Sequence, residues 1–296
     1  MNPVIEAYSR IASEYDHPRN IESCWGSITQ HSLGLVTLRD GHKTVADIGC
    51  GTGRDLARLA SASPPDVRFI GVEPAANMRS IAVGRTAHFP NVRIIDGRFE
   101  RLPLESQSID YLYSILAFHW TTDLGKSVAE LARVMKPTGE LDMTFIGRHN
   151  GREFIRKTTP VFFKYLTPAT MIKAVSLRKQ MTLEAATALF RTAFGPPGLS
   201  VTESYHTCYD TLEGHWGWWV RIESQLLDIP EAKKAECEHA VRGAIATLAT
   251  DKGIPYTVHL LHVRLRHEEL TERAVSQDCT HAVERTEMVG FGHKEL

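Results

Sequence analysis

The chain lacks most of the features that place a sequence at a glance. Its five cysteines, Cys24, Cys50, Cys208, Cys237 and Cys279, are odd in number and far apart. That spacing predicts neither a disulfide framework nor paired metal ligands, and so a reducing compartment. No apolar run approaches eighteen residues, and Met1 to Arg10 has no basic start leading into an apolar stretch. The expectation is a cytoplasmic chain with no membrane insertion. Charge of one sign is missing too: 34 Lys and Arg against 35 Asp and Glu give a formal net charge of −1. No global field draws such a protein to nucleic acid. The 14 histidines never fall in an H-x-x-x-H or H-E-x-x-H arrangement, so no metal site is expected.

What is present is length and alternation. At 296 residues, 43% of them hydrophobic, the chain is about twice an ordinary domain, which favours one enlarged α/β domain or one carrying an insertion. Ile5, Tyr8, Ile11, Ala12 and Tyr15 recur at spacings of three and four, predicting an opening helix over Val4 to Asp16. From Thr44 short apolar runs alternate with helical segments: Val45 to Ile48 then Gly53 to Ser61, and Val67 to Val72 then Ala75 to Arg85. The rhythm continues through Val92 to Ile95, Ile109 to Leu116, a helix Leu124 to Met135 capped by Asp123, and Glu140 to Ile146. This is the pattern of βαβ units and a parallel sheet. Lys136-Pro137-Thr138-Gly139 reads as the turn that ends that helix.

After Gly147 the rhythm stops. Arg152 to Lys164, Ala169 to Arg178 and Leu183 to Ala193 read as three inserted helices before the breaker Gly195-Pro196-Pro197-Gly198. Strand character returns at Leu199 to Tyr209 and Tyr256 to Arg266, around a mainly helical stretch, so the sheet is expected to finish antiparallel. The predicted fold is a Rossmann-like, mostly parallel seven-stranded sheet with an antiparallel edge strand, helices on both faces and a helical lid insertion. Its parts are an N-terminal helical lid (1–43), a core (44–147), a helical cap (148–198), closing strands and helices (199–270) and a polar, flexible tail (271–296).

The chemistry concentrates in Asp47-Ile48-Gly49-Cys50-Gly51-Thr52-Gly53, where a buried strand turns through three glycines into a helix. Glycines there let a ligand touch the backbone, since no Cβ intervenes and positive φ costs little. A nucleoside-type cofactor is implied. The G-x-G-x-G spacing differs from the dinucleotide G-x-G-x-x-G, because Arg54 stands where the third glycine would fall, and no G-K-[ST] follows to make a phosphate loop. Glu73, twenty residues past Gly53 at the end of the second apolar run, is placed to take both hydroxyls of a ribose.

Five segments together resemble the successive motifs of class I S-adenosylmethionine-dependent methyltransferases. They are the glycine loop just quoted, Gly71-Val72-Glu73-Pro74-Ala75-Ala76-Asn77-Met78, Gly97-Arg98-Phe99-Glu100-Arg101-Leu102-Pro103, Ser108-Ile109-Asp110, and Glu130 through Gly139. Over Tyr8 to Ile146 the chain is most similar to the small-molecule branch that includes the ubiquinone-pathway, biotin-pathway (malonyl-carrier-protein) and trans-aconitate methyltransferases. The resemblance implies that Gly49, Cys50, Gly51 and Gly53 run under the methionine of the cofactor, with Asp47 tying down the loop. It implies that Glu73 holds the ribose, that Pro74 and Met78 flank adenine, that Tyr15 closes a lid over the sulfonium, and that Ser114 at the end of strand four joins the cofactor set. Many relatives have Asp where this chain has Arg98. Arginine cannot accept a hydrogen bond from the adenine amino group, so the Phe99 backbone is expected to serve instead.

Strand four ends in Ser114-Ile115-Leu116-Ala117-Phe118-His119-Trp120, and strand carboxyl ends face the ligand crevice in open α/β sheets. His119 is the candidate base or substrate hydrogen-bond partner, with a structural role as its alternative. Phe154, Phe162, Phe163 and Tyr165 in the insertion, and His215, Trp216, Trp218 and Trp219 later, are candidates for an apolar pocket or for packing. The expected partner is a small-molecule methyl acceptor of aromatic, acyl or isoprenoid character, methylated at oxygen or nitrogen with carbon left open. A homodimer is also left open. The alternative function is a protein of the same fold that uses the cofactor in a non-methylating reaction such as cyclisation.

Overall fold

A computed structural model describes residues 2–222 and 229–267. The chain begins with four short helices, α1 (Pro3–Arg10), α2 (Ala12–Tyr15), α3 (Pro18–Ile21) and α4 (Cys24–Gly34). It then alternates β1 (Thr44–Ile48), α5 (Arg54–Ala62), β2 (Arg68–Val72), α6 (Ala76–Thr86), β3 (Val92–Ile95), β4 (Ile109–Ile115), α7 (Leu124–Val134) and β5 (Met135–Ile146). A 3-10 turn, Phe118–Trp120, follows β4. Helices α8 (Arg152–Tyr165), α9 (Pro168–Ser176) and α10 (Leu183–Phe194) come next, then β6 (Leu199–Asp210), α11 (Leu212–Ile222), α12 (Glu231–Ala246) and β7 (Ile254–Leu265). The tail expected at 271–296 lies outside the described residues.

The seven strands form one sheet in the order β3-β2-β1-β4-β5-β7-β6. Strands β1 to β5 pair parallel, while β7 runs antiparallel to both β5 and β6 and so makes the closing antiparallel edge pair. Every residue of β1 is buried, as an apolar run in a strand covered on both faces requires. Asp123 caps α7 by accepting from the Lys126 N–H at 3.0 Å, which satisfies one of the first turn's free donors.

Three sequence expectations are corrected. The opening helix is broken at Ile11, which leaves helical geometry (φ −93°, ψ 5°). The bend brings Ser9 onto Asn77 and Asp16 onto Arg85, both on α6. The Lys136 to Gly139 turn is absorbed into β5: pairing steps from Ile109 with Met135 to Tyr111 with Glu140, so the extra residues bulge out while Lys136 Nζ binds Asp110 at 2.6 Å. Finally, Cys24 and Cys208 form a disulfide, with Cα atoms 5.6 Å apart across 184 residues. Packing of α4 against β6 brings them together, and linear spacing carries no trace of that contact. Cys50 and Cys237 are free thiols, and Cys279 lies outside the described residues.

The main core lies between the sheet and α7 and α10, built from residues such as Leu112, Phe118, Leu131, Phe145, Phe190 and Leu261. Inside this apolar sheet stands Asp142, its side chain 1% exposed. His262 Nε2 meets its Oδ1 at 2.8 Å, Arg264 Nε donates to the same oxygen at 3.1 Å, and Tyr111 and Arg266 donate to Oδ2. Burial alone would raise the Asp142 pKa, but the bonds from His262, Tyr111 and Arg266 pull it down to about 2. The carboxylate therefore stitches β4, β5 and β7 together at the point where the parallel sheet becomes antiparallel. Asp142→Ala leaves these donors without their acceptor and is expected to cost about 3–5 kcal/mol in urea unfolding. Because the folded pKa is depressed, the Asp142 contribution is complete above the ordinary aspartate value and is lost as pH falls toward 2. The variant should lack that part of the acid sensitivity.

Candidate functional site

The loop after β1 is fixed by the neighbouring strand. Gly49 N–H and Cys50 N–H both donate to the Val72 carbonyl, at 2.8 and 3.1 Å, and Gly51 N–H donates to Glu73 Oε2 at 2.9 Å. Glu73 Oε1 accepts from Ala75 N–H at 2.8 Å. Strand β2 thus delivers one buried carboxylate to the crevice and holds the loop with the same side chain. Positive φ at Gly49 (83°), Gly51 (56°) and Gly53 (71°) makes the turn.

The glycines do different work. A Cβ on Gly51 would meet nothing within 4 Å, whereas one on Gly53 would lie 2.9 Å from Ala82 Cβ on α6. Gly51 faces the crevice. Gly53 permits close packing of α5 on α6 and does not line it.

Two connected chambers open at the carboxyl ends of β1, β2 and β4, with volumes near 120 and 180 Å³. The smaller is walled by Glu73, Pro74, Met78 and Phe99, with Arg98 at its side. The larger holds Asp47, Cys50 and His119, and Gly49, Gly51, Tyr15 and Trp120 border both. Of the residues expected at the cofactor, Gly53 and Ser114 fall in neither. The Ser114 hydroxyl donates to the Ile48 carbonyl at 2.7 Å, which turns it into the sheet.

Across the mouth lie α1 and α2. Tyr8 packs edge-on against Tyr15 at 6.1 Å and against Trp120 at 6.0 Å. Trp120 is set by the segment behind it, where Thr121 and Thr122 donate to Glu100. Burial would raise the Glu100 pKa, but these bonds hold it at about 2.

Three carboxyl groups, Asp47, Asp55 and Glu73, line the crevice. Asp47 is pushed well above the usual carboxylate range by burial and then by Asp55. Asp55 and Glu73 are also raised, each chiefly by burial. His119, 5% exposed, is pushed the other way, to about 3, by burial and by Arg178, so its ring is neutral at pH 7. Its Nδ1 faces the Ile146 N–H at 3.4 Å.

Sequence reading missed Trp25, Asn150, Arg178 and Gln180, all on the larger chamber. They come from α4, the β5–α8 connection and the α9–α10 connection, and nothing in their local sequence marks a cavity wall. Conversely, Phe154 and Phe162 belong to a second core, and Trp216 packs on that core under Arg242. Neither chamber is lined by them. Phe163 is exposed and the Tyr165 hydroxyl donates to Glu236. The side chains of Trp218 and Trp219 lie outside the described residues.

A parallel sheet whose strand order reverses between β1 and β4, with a glycine loop and an acidic strand tip at that switch point, defines a Rossmann-like α/β protein with a nucleoside crevice. Comparison with known proteins makes this particular. A family model described as a methyltransferase domain matches residues 46–142. Malonyl-[acyl-carrier protein] O-methyltransferase of Methylovorus sp. is 30% identical over 218 residues, covering 71% of this chain and 69% of that protein. A ubiquinone/menaquinone biosynthesis C-methyltransferase of Campylobacter jejuni is 28% identical over 56% of this chain and 73% of its own length. An uncharacterised 37.1 kDa transposon protein of Streptomyces fradiae is 37% identical over 38% of this chain, and the match spans about a third (32%) of that protein. The fold is shared with a crystal structure of an S-adenosylmethionine-dependent methyltransferase, possible histamine N-methyltransferase, from Thermotoga maritima. That pair has a TM-score of 0.51 at 19% identity, covering 89% of this chain and all (100%) of that one. The chain belongs to the S-adenosylmethionine-dependent methyltransferases, and S-adenosylmethionine is its cofactor.

The side chains present suit that molecule. Buried carboxylates whose pKa values are raised by burial, and for Asp47 also by a neighbouring acid, are relieved by a ligand carrying a sulfonium and an ammonium. The glycine contrast is testable by chemical denaturation. Gly51→Ala and Gly53→Ala both incur the left-handed backbone cost of about 1 kcal/mol, and Gly53→Ala should lose about 1–3 kcal/mol more from overpacking against Ala82.

Proposed function

We propose that the protein transfers a methyl group to a small, partly apolar molecule held in the larger chamber, at oxygen or nitrogen in preference to carbon. The observation that carries this reading is the continuity of the two chambers at Gly49, Gly51, Leu116 and Trp120. The smaller chamber sets Glu73 beside Pro74, Met78 and Phe99, and the larger joins Asp47 and Asp55 to Tyr8, Ile11, Trp25 and Trp120. Bound S-adenosylmethionine supplies an electrophilic methyl group on sulfur.

In this reading Glu73 accepts from the ribose hydroxyls through the lone pairs not used by Gly51 and Ala75. Pro74, Met78 and Phe99 enclose the base, with Phe99 also offering backbone, and Arg98 stands aside. Asp47, Gly49, Cys50 and Gly51 receive the methionine end. Tyr15 and Tyr8 exclude water at the mouth. A sulfonium leaves as a neutral thioether, so alignment within about 3–3.5 Å and desolvation do most of the work.

His119 orients and walls the acceptor. Burial and Arg178 hold its imidazole neutral and weakly basic, which favours this role over that of a general base. Neutral amines, or oxygens already ionised, suit a chamber whose histidine stays neutral.

Two measurements test the reading. Glu73→Ala should weaken S-adenosylmethionine binding by roughly 1.5–3 kcal/mol, the worth of a charged hydrogen bond, in calorimetric titration; unchanged affinity removes Glu73 from the ribose site. Incubation with candidate acceptors should release S-adenosylhomocysteine in equal amount with product, and product formed without it would establish a non-methylating reaction instead.

A further inference from the structure

Helices α8 and α9 follow one another with only Leu166 and Thr167 between them, and they use their surfaces unevenly. The inner side of α8 buries Phe154, Thr158 and Phe162, the two phenylalanines in the second core. Its outer side carries Arg152, Arg156, Pro160 and Lys164 at four-residue steps, all exposed, with Ile155 and Phe163 exposed as well. Helix α9 has no buried residue, and Ile172 and Val175, three positions apart, are 70% and 72% exposed. With Phe163 they are the three most exposed large apolar side chains among the described residues. Exposed apolar residues scattered singly need no explanation, but four on two consecutive helices do.

Charge on the same stretch is almost all of one sign. From residue 152 to 177 the basic residues are Arg152, Arg156, Lys157, Lys164 and Lys173, all exposed, against a single acid, Glu153. Glu153 is turned to β7, where it accepts from the Thr257 hydroxyl. Helix α12 packs along α8 and adds Glu236, which accepts from the Tyr165 hydroxyl at 3.1 Å. A chain of net charge −1 thus concentrates cations where it also exposes apolar side chains. That combination selects the partner. Nucleic acid would use the cations but not the aliphatic groups. A second copy joined by a two-fold contact would set the same cations against each other. An anionic bilayer takes both: its headgroups meet Lys and Arg, and the apolar side chains enter the acyl boundary, about 5–10 Å deep. This is lying on a membrane and not crossing it; no helix among the described residues is long and apolar enough to cross.

We propose that α8 and α9 dock the protein on a bilayer surface carrying anionic lipids, with the four apolar side chains in the interface and the five cations on the headgroups. Two residues past α9 the chain reaches the wall of the larger chamber at Arg178, so the docking helices adjoin the crevice. The docking goes beyond the methyl-transfer reading and does not depend on which acceptor the chamber holds.

The full chain is sedimented with vesicles of phosphatidylcholine alone and of phosphatidylcholine with about 40% phosphatidylglycerol. Binding to the anionic vesicles is expected to be at least tenfold tighter, and to weaken at least fivefold between about 0.05 and 0.5 M NaCl. The combined exchange Lys157→Gln, Lys164→Gln and Lys173→Gln should lower that affinity at least tenfold, and so should Phe163→Ser, Ile172→Ser and Val175→Ser together, with thermal melting unchanged in both. Equal binding to the two kinds of vesicle, no binding to either, or binding that survives either combined exchange overturns the proposal. RNA bound more tightly than the anionic vesicles, with the apolar variant unaffected, assigns the cations to nucleic acid and also overturns it. A protein that ignores vesicles and dimerises through this face, its dimer lost in the apolar variant, overturns it in favour of a second copy. Should a combined variant melt early, the single exchanges Lys173→Gln and Ile172→Ser on α9 replace it. Each should cut affinity for the anionic vesicles at least twofold, and unchanged affinity overturns the proposal.

Discussion

Everything in the crevice hangs from the bonds that tie the first strand's loop to the end of the second. The Val72 carbonyl receives two loop N–H groups, and the Glu73 carboxylate receives a third while holding its own chain at Ala75. A carboxylate doing this is already half satisfied before any ligand arrives. That explains how so buried an acid, 7% exposed, is kept at the bottom of a binding site, since the backbone donors offset part of the desolvation cost that raises its pKa. Loop, strand tip and helix α6 behind them become one rigid unit, and the N-terminal helices dock on that unit through Ser9 with Asn77 and Asp16 with Arg85.

The two sides of the crevice are built on different principles. Backbone geometry dominates around the glycine loop and Glu73, with glycine at positive φ, strand ends in register and an acid bonded to the loop. The rest of the larger chamber is assembled from side chains delivered by elements far apart in sequence, Trp25 from α4, Asn150 from the β5–α8 connection and Arg178 from beyond α9. Substitution at Arg178 or Trp25 therefore disturbs no ladder of the central sheet.

The same division governs what could be read from the sequence. Strand–loop–helix alternation, the G-x-G-x-G turn and Glu73 are local signals, and the strands, the reversal of sheet order and the placement of Gly49, Gly51, Glu73, Pro74, Met78 and Phe99 on one crevice agree with them. Gly53 and Ser114 show where local reading stops, because whether a glycine faces a ligand or a neighbouring helix, and which way a strand serine turns, are settled by tertiary packing. His119 lines the cavity at the end of β4, but its basicity depends on burial and on Arg178, more than fifty positions away. The disulfide from Cys24 to Cys208 is of the same kind, a contact between two elements that nothing in their own neighbourhoods announces.

Strand β7 sits between β5 and β6, and among the described residues β6 has no other partner in the sheet. During synthesis β6 emerges before the strand that attaches it, and β5 waits with an open edge until residues 254–265 have left the ribosome. The Asp142 carboxylate waits as well, since His262, Arg264 and Arg266 arrive with that last strand. A nascent chain halted just short of β7 therefore exposes an unpaired parallel edge and an unneutralised acid side by side. A charge at such an edge works against the edge-to-edge association that an open strand invites.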